Sequence, residues 1–444
     1  MSEQVDILPR HQYDAFLRQL PKDWEQKEIK QIGAVIGGST PSRDVPSFWR
    51  GSIPWVTPGE VSGEGAKLLH DTNDHISASG LAGSGANLLP AGSLLVTTRA
   101  TLGARVINAV PMTTNQGFKS VVFKKSEEAS YYFHLFEKVK PELVRRASGT
   151  TFLEISGAEF GSIKVPSPSP NEKLKIAQIL DTFDTAIHET EAIIAKLNTV
   201  KQGLLHDLLT RGIDANGELR QPQTEAPHLY KESPIGWVPN AWEIKSVKEL
   251  GEVVTGSTPP SHAPESWGPG FPFITPGDIT EDGVTTYTER SVSAKGSRYV
   301  RLLPSGSSLV VCIGSTIGKV GITATSSCSN QQINAVIPNE GIDSNFLFYA
   351  LKLHIGQLRR LAGLQAVPIV NKSSFESICL PAPHKNEQIA ISNRILALSN
   401  TLKNESLLVE KLIQQKNGLM DDLLTGRVRV KQLLTDATQQ TGGD

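Results

Sequence analysis

Two long stretches of the chain place apolar residues at alternating intervals of four and three positions. They cover about residues 172–210 and 386–425, and neither contains a proline. An apolar repeat of 3.5 residues sustained over this length is typical of a coiled-coil seam. We therefore predict two long helices that pair antiparallel. Their predicted seam residues are Ile187, Ile194, Leu197, Leu204, Leu208, Leu402, Val409, Leu412, Leu419 and Leu423.

The same two seam positions are polar in both stretches. Thr190 corresponds to Glu405, and Lys201 corresponds to Lys416. Polar residues in a seam can set the helix register, and lysine stems can lie along an apolar surface with their amines in water. A second interpretation is a contact for a third chain, and the sequence leaves both open.

Short apolar runs punctuated by glycine, proline, serine and asparagine precede each long helix. This pattern is typical of strands and turns. Residues 131–146 and 344–361 instead have helical spacing. We predict an α+β fold with two compact mixed α/β domains, which the paired helices hold apart.

The chain contains an internal repeat. Residues 24–41 recur at 242–259 with ten identities, and both copies end in Gly-Ser-Thr-Pro. Further matches follow, and they include an Asn-Gln pair at 115–116 and 330–331. A repeat of roughly 215 residues is far longer than a solenoid unit, so we interpret it as a duplicated domain with pseudo-twofold symmetry. The predicted segments are 1–23, a first domain 24–170, a helix 171–212, a linker 213–236, a second domain 237–384, a helix 385–427 and a tail 428–444.

Composition narrows the function classes. The 44 Lys+Arg and 45 Asp+Glu residues give a net charge of -1, which excludes a uniformly basic nucleic-acid coat but permits local basic patches. The 3 cysteines never occur at Cys-x-x-Cys spacing, so we expect neither a disulfide framework nor a metal site. The N-terminus lacks a hydrophobic signal core, and no apolar run approaches the ~20 residues that cross a bilayer. We expect a soluble cytoplasmic protein without membrane contact.

The sequence contains no recognisable catalytic motif. Residues 314–320 superficially resemble a phosphate-binding loop, but only three residues separate Gly314 from Gly318, and Val320 replaces the Ser/Thr that would hold magnesium. Neither a G-x-S-x-G elbow nor an H-E-x-x-H helix occurs. We expect no catalytic residues in this chain.

The repeated motifs carry a family resemblance. Each copy contains G-S-T-P, then T-P-G-E or T-P-G-D, then Asn-Gln, and finally a long helix that ends in D-L-L-T. Taken together over residues 21–427, these elements resemble the specificity subunit of type I restriction-modification systems. One departure is Asn171-Glu172-Lys173, where the family usually has Glu-Gln, as at Glu387-Gln388.

The resemblance implies a function. Such subunits have two target recognition domains, and each reads one half of a bipartite sequence in double-stranded DNA. The helices set the spacer and dock two modification subunits, which use S-adenosylmethionine to methylate adenine at N6. Restriction subunits that use ATP and Mg complete the complex, and no cofactor is expected on this chain.

Reading DNA requires hydrogen-bond donors for bases and cations for phosphates. We rank Arg99, Arg105 and Lys319 first because they flank equivalent strand-turn elements, and we expect about half of all the candidates to be solvated surface cations. The repeated tryptophans are better suited to the core. The candidates are Arg43, Arg50, Arg99, Arg105, Lys119, Arg145 and Arg146 in the first domain, and Arg298, Arg301, Lys319, Arg359, Arg360 and Lys372 in the second.

Two other functions remain open. One is a single-chain enzyme that combines DNA recognition with methyltransferase or nuclease activity. The missing glycine-rich cofactor loop and the missing N-P-P-Y type motif count against it. The other is a coiled-coil scaffold that binds no nucleic acid.

Overall fold

The chain folds into two compact units. One contains the chain up to Glu191 together with the chain from Leu407 onward, and the other contains Ala192–Ser406. Each unit therefore includes one copy of the repeat and part of each long helix. The computed structural model describes residues 10–61, 67–99, 101–148, 153–260, 262–280, 283–285, 287–362 and 368–430.

The first unit contains a five-stranded sheet of order β2-β9-β6-β7-β4, a three-stranded sheet of order β5-β3-β8, and the pair β1-β10. Strand β4 lies parallel to β7 and β8 lies parallel to β3, while the other pairs are antiparallel. The elements are α1 (Arg10–Arg18), β1 (Glu25–Glu28), α2 (Ile29–Ile32), β2 (Gly33–Gly37), β3 (Trp49–Val56), β4 (Leu68–Leu69), β5 (His75–Ile76), α3 (Ala78–Ala82), β6 (Leu94–Thr97), β7 (Arg105–Asn108), β8 (Thr113–Thr114), β9 (Phe118–Phe123), α4 (Ala129–Arg146), α5 (Gly157–Ser162), β10 (Lys164–Ser167) and α6 (Pro170–Thr210).

The second unit repeats this topology. Its sheets have the orders β14-β21-β18-β19-β16, β17-β15-β20 and β13-β22, with an added hairpin β11-β12. The predicted mixed fold with a duplicated domain and two long helices is confirmed. The elements are β11 (Tyr230–Ser233), β12 (Gly236–Pro239), β13 (Glu243–Ser246), α7 (Val247–Leu250), β14 (Gly251–Thr255), β15 (Gly270–Ile274), β16 (Val284–Thr285), β17 (Arg290–Ser293), β18 (Ser308–Val311), β19 (Val320–Thr323), β20 (Cys328–Ser329), β21 (Ile333–Pro338), α8 (Ser344–His354), α9 (Gly356–Ala362), α10 (Lys372–Glu376), β22 (Cys379–Ala382) and α11 (Lys385–Leu423).

Three segments differ from the structure that the sequence pattern predicts. The N-terminal segment forms α1, and the linker contributes β11 of a hairpin. The helical stretch 344–361 is divided into α8 and α9 at Ile355. Tail residues 431–444 lie outside the described part of the chain.

The core of the first unit forms around α4, whose buried residues recur every three or four positions. Tyr131 and Phe136 belong to one apolar cluster with Leu180 of α6 and Leu423 of α11. An early part of α6 and a late part of α11 thus pack in the same core, so the two helices run antiparallel within this unit. Burial of apolar surface contributes about 25 cal/mol per Å² to folding.

The second unit has the matching arrangement. Trp242 is fully buried in a cluster that contains Leu208 of α6, Ile391 of α11 and Phe346 of α8. Here a late part of α6 meets an early part of α11. Because both helices supply core side chains to each unit, each unit includes a part of each helix instead of ending where the helices begin.

Burial along both helices follows the 3.5-residue pattern. Every predicted seam residue is buried or half-buried. Several apolar residues between the seam positions are exposed, with Ile193 48% and Leu407 51% accessible. Among the described residues, no helix is both long and apolar enough to cross a membrane.

Candidate nucleic-acid interface

The repeated G-S-T-P and Asn-Gln motifs meet on one surface of the first unit. A Cβ atom on Gly38 would lie 2.0 Å from the carbonyl oxygen of Asn115, so only glycine fits this close backbone approach. The Ser39 amide donates to the Thr114 carbonyl at 2.9 Å. The Thr40 hydroxyl then donates to the side-chain oxygen of Gln116.

The second unit repeats these contacts. A Cβ atom on Gly256 would lie 2.1 Å from the Asn330 carbonyl oxygen. The Thr258 hydroxyl donates to Gln331 Oε1 at 2.8 Å. Both Gln116 and Gln331 are exposed, and the amide nitrogen of neither makes a hydrogen bond to the part of the chain that is described. An oriented carboxamide with free N–H donors can bind a base edge or a phosphate.

Aromatic residues support this surface in the first unit. Trp49 and Trp55 pack edge to face, with ring centroids 5.0 Å apart. The Trp55 indole N–H donates to the Ser39 carbonyl at 3.0 Å, which ties the aromatic pair to the G-S-T-P loop. The guanidinium of Arg43 lies 3.6 Å above the Trp49 ring centroid. Arg43 also donates to Asp74 at 2.7 Å.

The aromatic pair of the second unit is Trp267 with Phe273, again 5.0 Å apart and edge to face. Arg290 lies 3.5 Å above the Trp267 centroid. Arg290 is not among the predicted candidates, and its chain position does not correspond to that of Arg43. The prediction that the repeated tryptophans lie in the core fits Trp24 and Trp242, which are 6% and 0% exposed. Trp49 and Trp267 are only half-buried.

One position beside the G-S-T-P loop differs between the two units. Asn87 donates to the Gly37 carbonyl at 3.1 Å in the first unit. Arg301 donates to the Thr255 carbonyl at 2.7 Å in the second. Gly37 and Thr255 are the last residues of β2 and β14. The same backbone contact is therefore made by a neutral amide in one unit and by a cation in the other.

Three of the predicted cations bind groups of α4 in the first unit. Arg105 donates to the Phe133 carbonyl at 2.5 Å and to Glu137 at 2.9 Å, and burial lowers its pKa. Arg145 and Arg146 both bind Glu142, which is 3% exposed. These guanidiniums use two or three of their five N–H donors inside the unit, which fixes their orientation there.

The remaining candidates differ in their surroundings. Lys319 donates to the Pro276 and Ile279 carbonyls at 3.1 and 3.3 Å. Lys119 lies 3.9 Å from Glu154, and Lys372 lies 3.6 Å from Glu376. Arg99 is half-buried at a bridge to Glu154, while Arg50, Arg298, Arg359 and Arg360 are exposed. Among the described candidates, Arg43 contacts the aromatic support of the first loop, and Arg301 contacts Thr255, directly before the second G-S-T-P loop. The assignment of the full set to DNA stays a prediction.

A buried polar network lies away from this surface, between α4 and α6 of the first unit. Asp181 accepts from Lys67 at 2.5 Å and from Ser130 at 2.8 Å, and it lies 2.7 Å from His134 Nε2. Lys416 of α11 donates to Asp184. The ligand-type atoms of His134, Asp181 and Asp184 lie within 4.8 Å of one another. Lysine ammonium groups already compensate both carboxylates.

Comparison with known proteins identifies the family, and the match covers both copies of the repeat. The family model for the type I restriction modification DNA specificity domain matches residues 21–199 and 239–412. The chain belongs to this family. The family match includes both G-S-T-P loops and both Asn-Gln pairs.

Curated relatives are specificity subunits. The type I restriction enzyme MjaIX specificity subunit of Methanocaldococcus jannaschii is 31% identical over 57% of this chain and 58% of its own length. The match thus spans little more than half of that relative. The MjaVIII specificity subunit of the same organism is 23% identical over 93% of this chain and 95% of its own length.

A solved structure has the same fold. The type I restriction-modification S subunit from M. genitalium superposes with a TM-score of 0.56 at 14% identity. The superposition covers 91% of this chain and 98% of that one. The fold of the specificity family is therefore present over most of this chain.

Proposed function

We propose that this chain is the DNA specificity subunit of a type I restriction-modification complex. In this proposal each unit reads one half of a bipartite target in double-stranded DNA. The observation that carries it is the occurrence of one surface twice, built from G-S-T-P, Asn-Gln and a tryptophan with an arginine above it. Two equivalent surfaces on one chain suit a target with two half-sites.

The surface combines constant and variable parts, as a bipartite reader requires. The Thr–Gln pair and the Arg–Trp contact are the same in both units, so they are suited to parts of DNA that do not depend on sequence. Asn87 and Arg301 occupy matching places with different chemistry. The Asn87 amide nitrogen donates to the Gly37 and Gly85 carbonyls, which leaves an acceptor oxygen, whereas the Arg301 guanidinium keeps further donors. This position is therefore suited to distinguishing the half-sites.

In this proposal, partner subunits carry out the chemical reactions. Two modification subunits bind the long helices and methylate adenine N6 with S-adenosylmethionine, and restriction subunits use ATP and Mg. The groups at each surface are amides, hydroxyls and guanidiniums, and the Asp74 carboxylate at the first surface is paired with Arg43. Amides, hydroxyls and guanidiniums recognise DNA by hydrogen bonding. The proposal assigns no catalytic role to this chain.

A domain exchange tests the proposal. Residues 24–165 are replaced with those of a relative that has a different target, and the full chain is expressed with its modification subunits. Mapping methylated adenines in the host genome should show one half of the target changed and the other half unchanged. Exchange of residues 242–380 should change the opposite half.

Two outcomes would contradict the proposal. If both halves or neither changed, the units would not read separate half-sites. If the purified chain alone transferred methyl groups from S-adenosylmethionine to DNA, the single-chain enzyme would replace the proposed subunit. Sequence-selective and salt-sensitive DNA binding by the complex is the expected control result, because phosphate contacts release counterions.

A further inference from the structure

A guanidinium lies above the equivalent tryptophan in both units. Trp49 and Trp267 correspond in the internal repeat. The central carbon of Arg43 lies 3.6 Å from the Trp49 centroid, and that of Arg290 lies 3.5 Å from the Trp267 centroid. Each tryptophan packs edge to face on a second ring at the same 5.0 Å separation.

The two arginines come from different positions of the repeat. Arg43 lies in the loop after β2, and the matching sequence position in the second copy is Ser261, outside the described residues. Arg290 begins β17 and pairs with Phe273. In the first unit the matching partner of Trp55 is Asp74, whose carbonyl accepts from the Trp55 amide at 3.0 Å. The place of Arg290 is thus taken by the acid that binds Arg43.

This difference indicates that the guanidinium itself matters, and not the chain position that supplies it. Two copies of one domain would keep a merely inherited contact at matching positions. A role in stability alone is a weak reason for the contact, because cation–π pairs at exposed sites contribute only about 0.5–1 kcal/mol. The Arg43 side chain is 57% exposed, and Arg290 is also exposed.

Both guanidiniums retain donors for a ligand. A guanidinium has five N–H donors in a planar fork. Arg43 gives one of them to Asp74, and the Arg290 side chain makes neither a hydrogen bond nor an ion pair with the described residues. Stacking on the indole orients the fork, which suits the bidentate binding of phosphate oxygens.

We propose that Arg43 and Arg290 are equivalent contacts to the DNA backbone, one in each half-site. The inference rests on the proposed function and names residues that position the DNA. Phosphate fits better than a base, because the guanidinium is common to both units whereas two different half-sites differ in their bases. Asp74 competes for the guanidinium in the first unit only, so Arg290 is the stronger contact.

Single substitutions test the contact in the complete complex with modification subunits. R290A should weaken binding of the cognate duplex about tenfold, as expected for loss of a charge-assisted hydrogen bond. R43A should weaken it less, because Asp74 competes for that guanidinium. The slope of log affinity against log salt should decrease by about 0.9, the contribution of one phosphate. The mapped methylation sequence should stay the same. R18A is the matched control, because Arg18 is an exposed arginine of α1, outside both copies of the repeat, and donates to the Asp14 carbonyl at 3.2 Å.

A second experiment moves the guanidinium to another chain position. It tests whether DNA affinity depends on the location of the guanidinium above the indole and not on the residue that supplies it. R43S should weaken binding, and R43S combined with D74R should restore it, because the pair recreates the arrangement of the second unit. Thermal unfolding of each variant separates loss of folding from loss of contact. A correctly folded double variant that stays as weak as R43S would overturn the proposal.

Other outcomes separate this inference from the proposed function. If R43A and R290A bound the cognate duplex as tightly as a selective wild-type complex, the proposed backbone contact would be overturned and the proposed function would stand. Relaxed specificity at one base pair would show a base contact and would also overturn it. A wild-type complex without any selective DNA binding would overturn the proposed function itself.

Discussion

At the scale of single residues, the His134–Asp181 network shows how burial and hydrogen bonding compete. Burial lowers the pKa of His134, against the effect of the neighbouring carboxylates. Burial tends to raise the pKa of Asp181, but hydrogen bonds from His134, Lys67 and Ser130 outweigh it and lower that pKa to about 2. The matching positions in the second copy are Tyr349, Leu396 and Ser399, so the network is a feature of the first unit.

Replacing Asp181 with asparagine should destabilise the protein. The pKa of Asp181 is lower in the folded state than its ordinary 3.8, so the carboxylate stabilises the fold above about pH 4 and loses this effect as the pH falls toward 2. D181N should lower the free energy of unfolding by about 1–2 kcal/mol at pH 7, after allowance for solvent screening of this partly exposed group. Urea unfolding of the wild type and of D181N at pH 7 and pH 3 would measure this difference in the free energy of unfolding.

Asp421 provides the control for this substitution. It forms an ion pair with Lys138, but its side chain is 55% exposed. Because exposed ion pairs contribute little, D421N should change the stability by less than about 0.5 kcal/mol. A D181N effect as small as that of D421N, or one that grows as the pH falls, would contradict the assigned network.

At the scale of elements, the long helices were predictable because their burial depends on a local repeat. The pattern does not reveal which polar seam residues have partners. Lys416 binds Asp184 in the first unit, and Thr190 donates to the Ala186 carbonyl at 2.7 Å within its own helix. These contacts favour the structural interpretation of both residues over a contact for a third chain.

Two leucines on α11 test the seam directly. Leu402 is 7% exposed and lies in the seam, whereas Leu407 is 51% exposed outside it. L402A should lower the free energy of unfolding by about 2 kcal/mol through loss of buried methyl groups and the cavity that remains. L407A should change it by less than about 0.5 kcal/mol. Thermal or urea unfolding of both variants measures the difference, and equal losses would refute the seam assignment.

Other elements depended on contacts that sequence patterns do not encode. The break between α8 and α9 at Ile355 lies inside a stretch with uninterrupted helical spacing. The linker hairpin pairs Tyr230 with Pro239, and its first strand lies in a polar stretch that predicted no strand. The hairpin forms by pairing with residues 236–239, and Gly356, next to the helix break, lowers the local helix propensity.

At the scale of the whole molecule, the proposed function makes the helix pair a ruler for the DNA spacer. Seven residues inserted after Glu191 and seven after Ser406 keep the 3.5-residue seam in register. Each helix then gains about 10 Å, equivalent to about three base pairs of DNA. The spacer in the methylated sequence should lengthen by about three base pairs while both half-sites stay the same.

An insertion elsewhere controls for added length alone. Seven residues inserted after Asn216, an exposed residue in the linker, should leave the spacer unchanged. Methylation mapping would compare both variants with the wild type. An unchanged spacer after the helix insertions would show that the helices do not set it.

The sequence alone determined the duplication, the two long helices, the strand-rich domains and the family. All of these depend on periodic burial or on motifs that recur within the chain. Tertiary structure decided which cations are free. Arg105 was ranked first from its position, yet Phe133 and Glu137 engage it within the unit. Arg290 was not singled out at all, because the indole beneath it belongs to Trp267, 23 residues earlier in the chain. A cation's availability depends on the neighbours that folding brings to it, and those neighbours have no fixed spacing in the sequence.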